Sequence, residues 1–342
     1  MLLRSRSINF GARRFASTYT DAHRQVIAGL QGRSLLRIDD YNADELKAVI
    51  ELSKHIKFLC KTDSLPRPLV GKTVATIFQK RSTRTRVSTE TGMNLLGGHA
   101  LFLSGEDIQL GVNETIRDSA SVLSRYNSLL LARVFGHSVV EELAQFSSVP
   151  VINALSSMHH PLQTLADYMT MDERYGSDNV SGKTLCWIGD GNNVLHDLML
   201  AAPMMGVNLK ICTPKSHEPS PRIVDDAKKL ASKFGTSIWL GDSPLDAISN
   251  SNIIVTDTWV SMGQEDEAKK RRKIFAGYQI TSEMLKAGGA SDDWIFMHCL
   301  PRHAEEVTDD VFYSDQSVVF DEAENRMYTV MAVMSSMLGH KF

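Results

Sequence analysis

The chain has 342 residues, of which 43% are hydrophobic and 23% charged, with a formal charge of −3. That length exceeds one ordinary hydrophobic core and fits two domains of soluble, globular composition. No uninterrupted apolar run approaches the length of a membrane span, and an acidic chain is a poor partner for nucleic acid, so neither partner is expected.

Residues 1–20 carry Arg4, Arg6, Arg13 and Arg14, several serines and no acidic residue. This composition resembles a mitochondrial transit peptide and raises the expectation of a matrix protein; an unstructured terminus on a cytoplasmic protein is the alternative. Without those four arginines the balance becomes 33 basic against 40 acidic residues, a formal charge of −7. Cys60, Cys186, Cys212 and Cys299 are scattered with no C-x-x-C spacing, which predicts reduced intracellular thiols, not a disulfide framework or a zinc site.

A capping-box pattern, Asn42-Ala43-Asp44-Glu45, precedes Leu46, Val49, Ile50, Ile56 and Leu59 and predicts an amphipathic helix. Apolar runs at 74–78, 100–103, 129–134 and 151–154 predict strands, alternating with helical segments at 84–96, 114–126 and 138–146. Such alternation implies a parallel sheet covered on both faces. Pro161 opens a helix through Leu162, Leu165, Ala166 and Met169 that ends in the polar stretch 172–181, the expected domain boundary. The pattern then restarts, since Gly182-Lys183-Thr184 echoes Gly71-Lys72-Thr73 ahead of a second series. Its strands are expected at 185–188, 209–212, 253–256 and 294–297, with helices at 194–205, 222–234 and 281–285. The basic run Lys269 to Lys273 follows Glu265-Asp266-Glu267 and reads as the solvated face of a helix laced with i,i+4 pairs. Met327, Val330, Met331, Met334 and Leu338 form one buried stripe on a last helix, which is expected to pack back on the first domain. The expected division is 1–20, 33–172, 180–322 and 323–342. The fold class is α/β, two doubly wound parallel-sheet domains with the ligand site in the cleft between them.

Carboxyl ends of strands are therefore the places to look for chemistry. Ser82-Thr83-Arg84-Thr85-Arg86 follows the run at 74–78 and opens a helix. Free backbone N–H groups, the positive end of the helix dipole, hydroxyls and forked guanidinium donors make this an anion cradle, read as a phosphate site. Neither Gly-Lys-Thr is a Walker loop, because the required earlier glycine is Pro66 or Ser177 and both copies precede a strand. Gly189-Asp190-Gly191 begins like a dinucleotide fingerprint, but Val194 occupies the third glycine position, which argues against NAD. Asn192-Asn193 at that helix start offers amides for a carboxylate. Arg133 closes a strand, where a guanidinium is either a surface ion pair or part of the cradle. His160-Pro161-x-Gln163 puts an imidazole at a helix mouth, which alone fits a capping or core histidine equally well. Asp257 to Gly263 follows a strand as a mobile loop, and His298-Cys299-Leu300-Pro301 puts a thiol at another strand's carboxyl end. No hydrolytic triad or metal-ligand spacing is seen.

Together the S-T-R-T-R, H-P-x-Q, D-x-x-x-S-M-G and H-C-L-P elements resemble the aspartate/ornithine carbamoyltransferase family, and within it the ornithine branch, over residues 35–338. The resemblance implies attack of the side-chain amine of ornithine on the carbonyl carbon of carbamoyl phosphate, through a tetrahedral intermediate, giving citrulline and phosphate without metal or organic cofactor. It implies that Ser82, Thr83, Arg84 and Thr85 hold the phosphate, that Arg133 reaches phosphate and carbonyl, and that His160 bonds the carbonyl oxygen. Gln163 and the backbone carbonyls of Cys299 and Leu300 would fix the carbamoyl nitrogen, with Arg326 at the same site. Asn193, Asp257, Ser261 and the Met262 backbone would hold the amino-acid end of ornithine, and Cys299 would face its side-chain amine. Gln109 matches a loop that reaches a neighbouring subunit's site, which implies a homotrimer. A carbamoyltransferase for another amine, such as putrescine, and a catalytically silent ligand sensor are the competing readings.

Overall fold

The computed structural model describes residues 19–105, 108, 110–177, 179–260, 267–340 and 342. Gln109, Ser261, Met262 and the first 18 residues of the expected transit peptide lie outside them.

Two helices precede the first sheet, α1 (Asp21–Ala28) and α2 (Ala43–Lys61). At the start of α2 the Asn42 side chain accepts from the Asp44 and Glu45 N–H groups, and Glu45 accepts from the Asn42 N–H at 2.8 Å. This is the capping box read from the sequence. Strands β1 (Thr73–Phe78), β2 (His99–Ser104), β3 (Leu129–Arg133) and β4 (Val151–Leu155) pair in the order β2-β1-β3-β4, all parallel. The helices α3 (Thr83–Leu95), α4 (Ile116–Tyr126) and α5 (His137–Phe146) connect them, and α6 (Pro161–Tyr175) leads away. The inner strand β3 is buried throughout, which is why its sequence is a continuous apolar run instead of an alternating one.

A second parallel sheet contains β5 (Thr184–Ile188), β6 (Asn208–Cys212), β7 (Ile238–Gly241), β8 (Ile253–Thr256) and β9 (Ile295–His298), in the order β7-β6-β5-β8-β9. Around it lie α7 (Asn193–Met204), α8 (Pro221–Phe234), α9 (Pro244–Ile248), α10 (Ala268–Ile274), α11 (Ser282–Gly288) and α12 (Asp309–Phe312). Sequence reasoning passed over β7 because this edge strand leaves Trp239 and Leu240 partly exposed and so lacks a buried apolar run. It also placed the last strand one residue early; the observed register makes His298 part of β9 and puts Cys299 just beyond it.

The last helix, α13 (Val319–Met337), starts before the expected 323. It packs against α6, α2 and α3 and touches β9. Residues 328–337 are buried without interruption, so the expected single stripe is instead a helix enclosed on nearly all sides. No helix among the described residues is long and apolar enough to cross a membrane.

Each sheet reverses its winding direction once. Successive strands leave β1 toward β2 on one side and reach β3 on the other; in the second sheet the change falls between β5 and β8. Crevices form at the carboxyl ends of strands at such points. Those ends carry Ser82 and Arg133 in one sheet, and Asp190 and Asp257 in the other.

The contact of α3 with α13 is close at Gly92, where an added Cβ would lie 2.7 Å from Met331 Cγ. Helix propensity favours Gly92→Ala by about 1 kcal/mol, but overpacking of this contact costs roughly 1–3 kcal/mol. Net destabilisation in urea unfolding is expected, with partial recovery when Met331→Ala is combined with it; a stabilised single variant would show that the helices part freely.

Candidate active site

Beyond β1 the chain crosses to Ser82, whose extended backbone (φ −163°) and side chain cap α3: Oγ accepts the Thr85 N–H at 3.2 Å. Ser82 and Arg84 are half-buried, Thr83 is exposed and Thr85 is buried at the helix mouth. Arg86 is turned away. Two residues past Arg84 it lies roughly 200° around the helix, bonds Glu90 at 2.9 Å and stacks 3.6 Å from the Phe102 ring centroid. Of the two arginines in the motif, only Arg84 belongs to the cradle.

Arg133 ends β3, the neighbour of β1, and is 7% exposed. Burial, then the charges of Arg326 and Arg84, push its pKa down to about 10. Arg326 comes from α13 and is 4% exposed. Its Nη1 donates to Gln163 Oε1 at 2.5 Å and to His160 Nε2 at 3.3 Å, and its Nη2 donates to Thr85 Oγ1 at 3.4 Å. Burial pushes its pKa down to about 10 as well, against the favourable charge of Asp167. His160 is buried, and burial followed by Arg326, Arg133 and Arg84 holds its pKa well below the usual histidine value. A neutral ring that accepts at Nε2 keeps its proton on Nδ1. That atom is buried and has no hydrogen-bond partner among the described residues. The pocket thus presents crowded guanidinium groups and one imidazole N–H, a strong demand for an anion with a polar acyl oxygen.

Gln163 is 1% exposed, one turn into α6. Its Nε2 donates to Asp167 Oδ1 and to Glu322 Oε1, both at 2.8 Å. Burial pushes Asp167 up to about 7 and Glu322 well above the usual carboxylate range, and the two carboxyl groups share a hydrogen bond. Neither acid was picked out from the sequence.

The second domain supplies a thiol and a carboxylate. Cys299 Sγ donates to Asp257 Oδ1 at 2.9 Å, and burial followed by the Asp257 charge pushes the thiol pKa well up. Asp257 also accepts from its neighbour Thr258 N–H and from Asn192 Nδ2, both at 2.7 Å. Asn192, the cap of α7, orients the acid; Asn193 next to it donates to the Ser156 carbonyl at 2.6 Å, in the first domain. Leu300 takes a left-handed conformation (φ 61°) that branched side chains disfavour. Its N–H donates to His298 Nδ1 at 2.9 Å, and His298 Nε2 donates to buried Glu306 at 3.0 Å. Glu306 also accepts from the Trp259 N–H and from His303, binding the loop after β8 to the loop after β9. Donor atoms of Asp257, His298 and Cys299 lie within 4.8 Å of one another, a cluster that sequence spacing did not suggest. Both His298 ring nitrogens are already committed, to the Leu300 N–H and to Glu306, and the thiol proton to Asp257.

The basic run corrects the sequence reading. Arg271 is buried, not solvated: its Nη2 bonds Asp190 at 2.5 Å and its Nε donates to the Trp259 carbonyl. Burial pushes Asp190 up to about 6 even so. Helix α7 ties the two halves together. His196 Nδ1 bonds the Met158 carbonyl at 2.9 Å, and Asp197 accepts from His159 Nδ1 at 2.8 Å and from the His160 N–H at 2.5 Å.

Comparison with known proteins gives the following. A family model described as the aspartate/ornithine carbamoyltransferase carbamoyl-P binding domain matches residues 33–173. One described as the Asp/Orn binding domain of the same enzymes matches residues 181–337. The chain is 50% identical over 315 residues to the mitochondrial ornithine carbamoyltransferase of Aquarana catesbeiana, covering 92% of this chain and 89% of that one. It superposes on the solved ornithine carbamoyltransferase from Pyrococcus furiosus with a TM-score of 0.87 and 47% identity, over 92% of this chain and 99% of that one. A mitochondrial ornithine carbamoyltransferase structure from Coccidioides immitis matches with a TM-score of 0.83 and 42% identity, over 90% and 98%.

A thiol held beside a carboxylate resists ionisation. Alkylation of Cys299 by iodoacetamide, mapped by mass spectrometry, is expected to remain slow through pH 8. Asp257→Asn lowers the thiol pKa and accelerates the reaction at the same pH; an unchanged or slower rate would separate the two groups.

Proposed function

The chain belongs to the aspartate/ornithine carbamoyltransferase family, and we propose that it transfers the carbamoyl group of carbamoyl phosphate to the side-chain amine of L-ornithine, giving L-citrulline and phosphate. The observation that carries this reading is Arg326, whose one guanidinium touches Thr85 of the cradle, His160 and Gln163.

Ser82, Thr83, Arg84 and Thr85 hold the phosphate, with Arg133 and Arg326 completing its charge. Arg133 and the Nδ1–H of His160 donate to the carbonyl oxygen, on which negative charge grows as the tetrahedral intermediate forms; groups fixed there in advance need no reorganisation. Gln163 and the backbone carbonyls of Cys299 and Leu300 hold the carbamoyl nitrogen. Asp257 orients the side-chain nitrogen of ornithine, which attacks as the neutral amine, beside Cys299, whose raised pKa keeps it a neutral thiol instead of a nucleophile. Asn193 spends one N–H on Ser156, leaving its second N–H for the ornithine carboxylate, together with Ser261 and the Met262 backbone. The departing phosphate accepts a proton. Gln109 of a neighbouring copy completes the site, which makes the working unit a homotrimer. The N-terminal composition and the mitochondrial relatives support a matrix location.

Citrulline formation from ornithine and carbamoyl phosphate tests the assignment, with putrescine as the rival acceptor; activity with putrescine alone would overturn it. An alkyl ammonium titrates near 10.4, and only its neutral form attacks. The kcat/KM for ornithine is therefore expected to rise with pH through neutrality; a flat profile with chemistry limiting would contradict direct attack. Cys299→Ser is expected to weaken ornithine binding and turnover about tenfold or more, the scale of one hydrogen bond to a charged group, while sparing carbamoyl phosphate binding. Loss of carbamoyl phosphate binding instead would misplace the thiol.

A further inference from the structure

The two ends of the Gln163 amide differ chemically, and every contact it makes agrees on which end faces which way. Its amide nitrogen lies 2.8 Å from Asp167 Oδ1 and 2.8 Å from Glu322 Oε1, and its carbonyl oxygen lies 2.5 Å from Arg326 Nη1. The reversed amide would set an oxygen against two carboxyl groups and an N–H group against a guanidinium. The two acids occupy both N–H groups, so neither remains for a ligand. A carbonyl oxygen has two lone pairs. Arg326 takes one, and the other accepts from whatever sits beside His160.

We propose that Asp167 and Glu322 are specificity-determining positioning residues: by occupying both N–H groups of Gln163 they lock its oxygen toward the bound acyl group, so that the pocket accepts an NH2 there and rejects a methyl. The inference rests on the reading of Gln163 as partner of the carbamoyl nitrogen. A carbamoyl NH2 satisfies the free lone pair. The methyl of acetyl phosphate has the same size and leaves a buried acceptor unpaired, and sites built to bond a polar group discriminate strongly against analogues that lack it.

Glu322 extends the same control to the other side of the nitrogen. Its Oε2 accepts the His298 N–H at 2.9 Å, and His298 leads directly to Cys299 and Leu300, whose carbonyls are the remaining acceptors proposed for that nitrogen. One carboxyl group of α13 thus sets both sets of acceptors. Sharing a proton lets the acids sit together while retaining negative charge beside Arg326.

The test uses the full-length enzyme and compares carbamoyl phosphate with acetyl phosphate and inorganic phosphate as competitive inhibitors. Asp167→Leu and Glu322→Met each remove one acceptor at similar volume; either suffices if the other fails to fold, and Asp167→Asn, which keeps an oxygen, serves as the conservative rescue. The expected result is a carbamoyl phosphate KM raised about tenfold with the acetyl phosphate and phosphate inhibition constants unchanged, so that discrimination falls about tenfold, and largely returns in Asp167→Asn. Parallel weakening of all three ligands, or an unchanged ratio, would overturn the proposal. Gln163→Ala separates the two layers. If it leaves discrimination at the wild-type value, the reading of Gln163 is wrong. If it abolishes discrimination and the acid variants do not, Gln163 keeps its role and the acids lose theirs.

Discussion

Crowded positive charge governs this molecule. Arg84, Arg133 and Arg326 come from three separate elements, and burial, with the neighbouring guanidinium charges adding to it, pulls Arg133 and Arg326 down to about 10. At an effective dielectric near 20, two unit charges roughly 8 Å apart repel by about 2 kcal/mol, so the arrangement persists only because other features oppose it. Part of the opposition is electrostatic: Asp167 and Glu322 sit under Arg326. The rest is packing, because α13 is enclosed between α2, α3 and α6 and cannot withdraw its arginine without opening that core. The repulsion that remains is relieved by a dianionic ligand, and a protein prepared in this way spends little of its binding energy on rearrangement.

The same logic explains why the cleft is strapped across. Asn193, His196 and Asp197 lie along one face of α7 and bond the 156–160 segment, which ends at His160. His160 is therefore held by a helix of the opposite domain. Any closing movement of the two sheets must carry that segment with α7 or exchange these bonds, so the relative position of the halves and the aim of the imidazole are linked.

Much of this was legible in the sequence, for a physical reason. Parallel strands buried on both faces read as short apolar runs, and their carboxyl ends are where ligands bind, so Ser82 to Thr85, Arg133, Asp257 and Cys299 stood out by position. His160 and Gln163 became convincing only alongside them. What escaped was the supporting set. Asp167 looks like an ordinary polar residue on an amphipathic helix, Glu322 like a surface acid before the last helix, and Arg271 like one cation in a run of five. Glu322 and Arg271 acquire meaning from partners more than 80 residues away, Gln163 and Asp190, and Asp167, one turn beyond Gln163, from sharing that amide with Glu322; no local pattern reports the distant pairings. Asn192 and Asn193 show the limit in miniature. The sequence marked both amides, but only the helix cap distinguishes the one that faces Asp257 from the one that faces Ser156.

The placement of Arg326 and Glu322 on α13 has an outcome during protein synthesis. Every strand of both sheets leaves the ribosome before this helix does, yet the helix packs between α2, α3 and α6 of the first domain. The nascent amino-terminal half therefore waits with the sides of α2, α3 and α6 that meet this helix uncovered, and Arg326 joins Thr85, His160 and Gln163 only as translation nears its end. A chain stopped just short of residue 319 would keep all the strands and lack the helix that covers α2, α3 and α6, leaving quality-control machinery an exposed apolar surface to recognise.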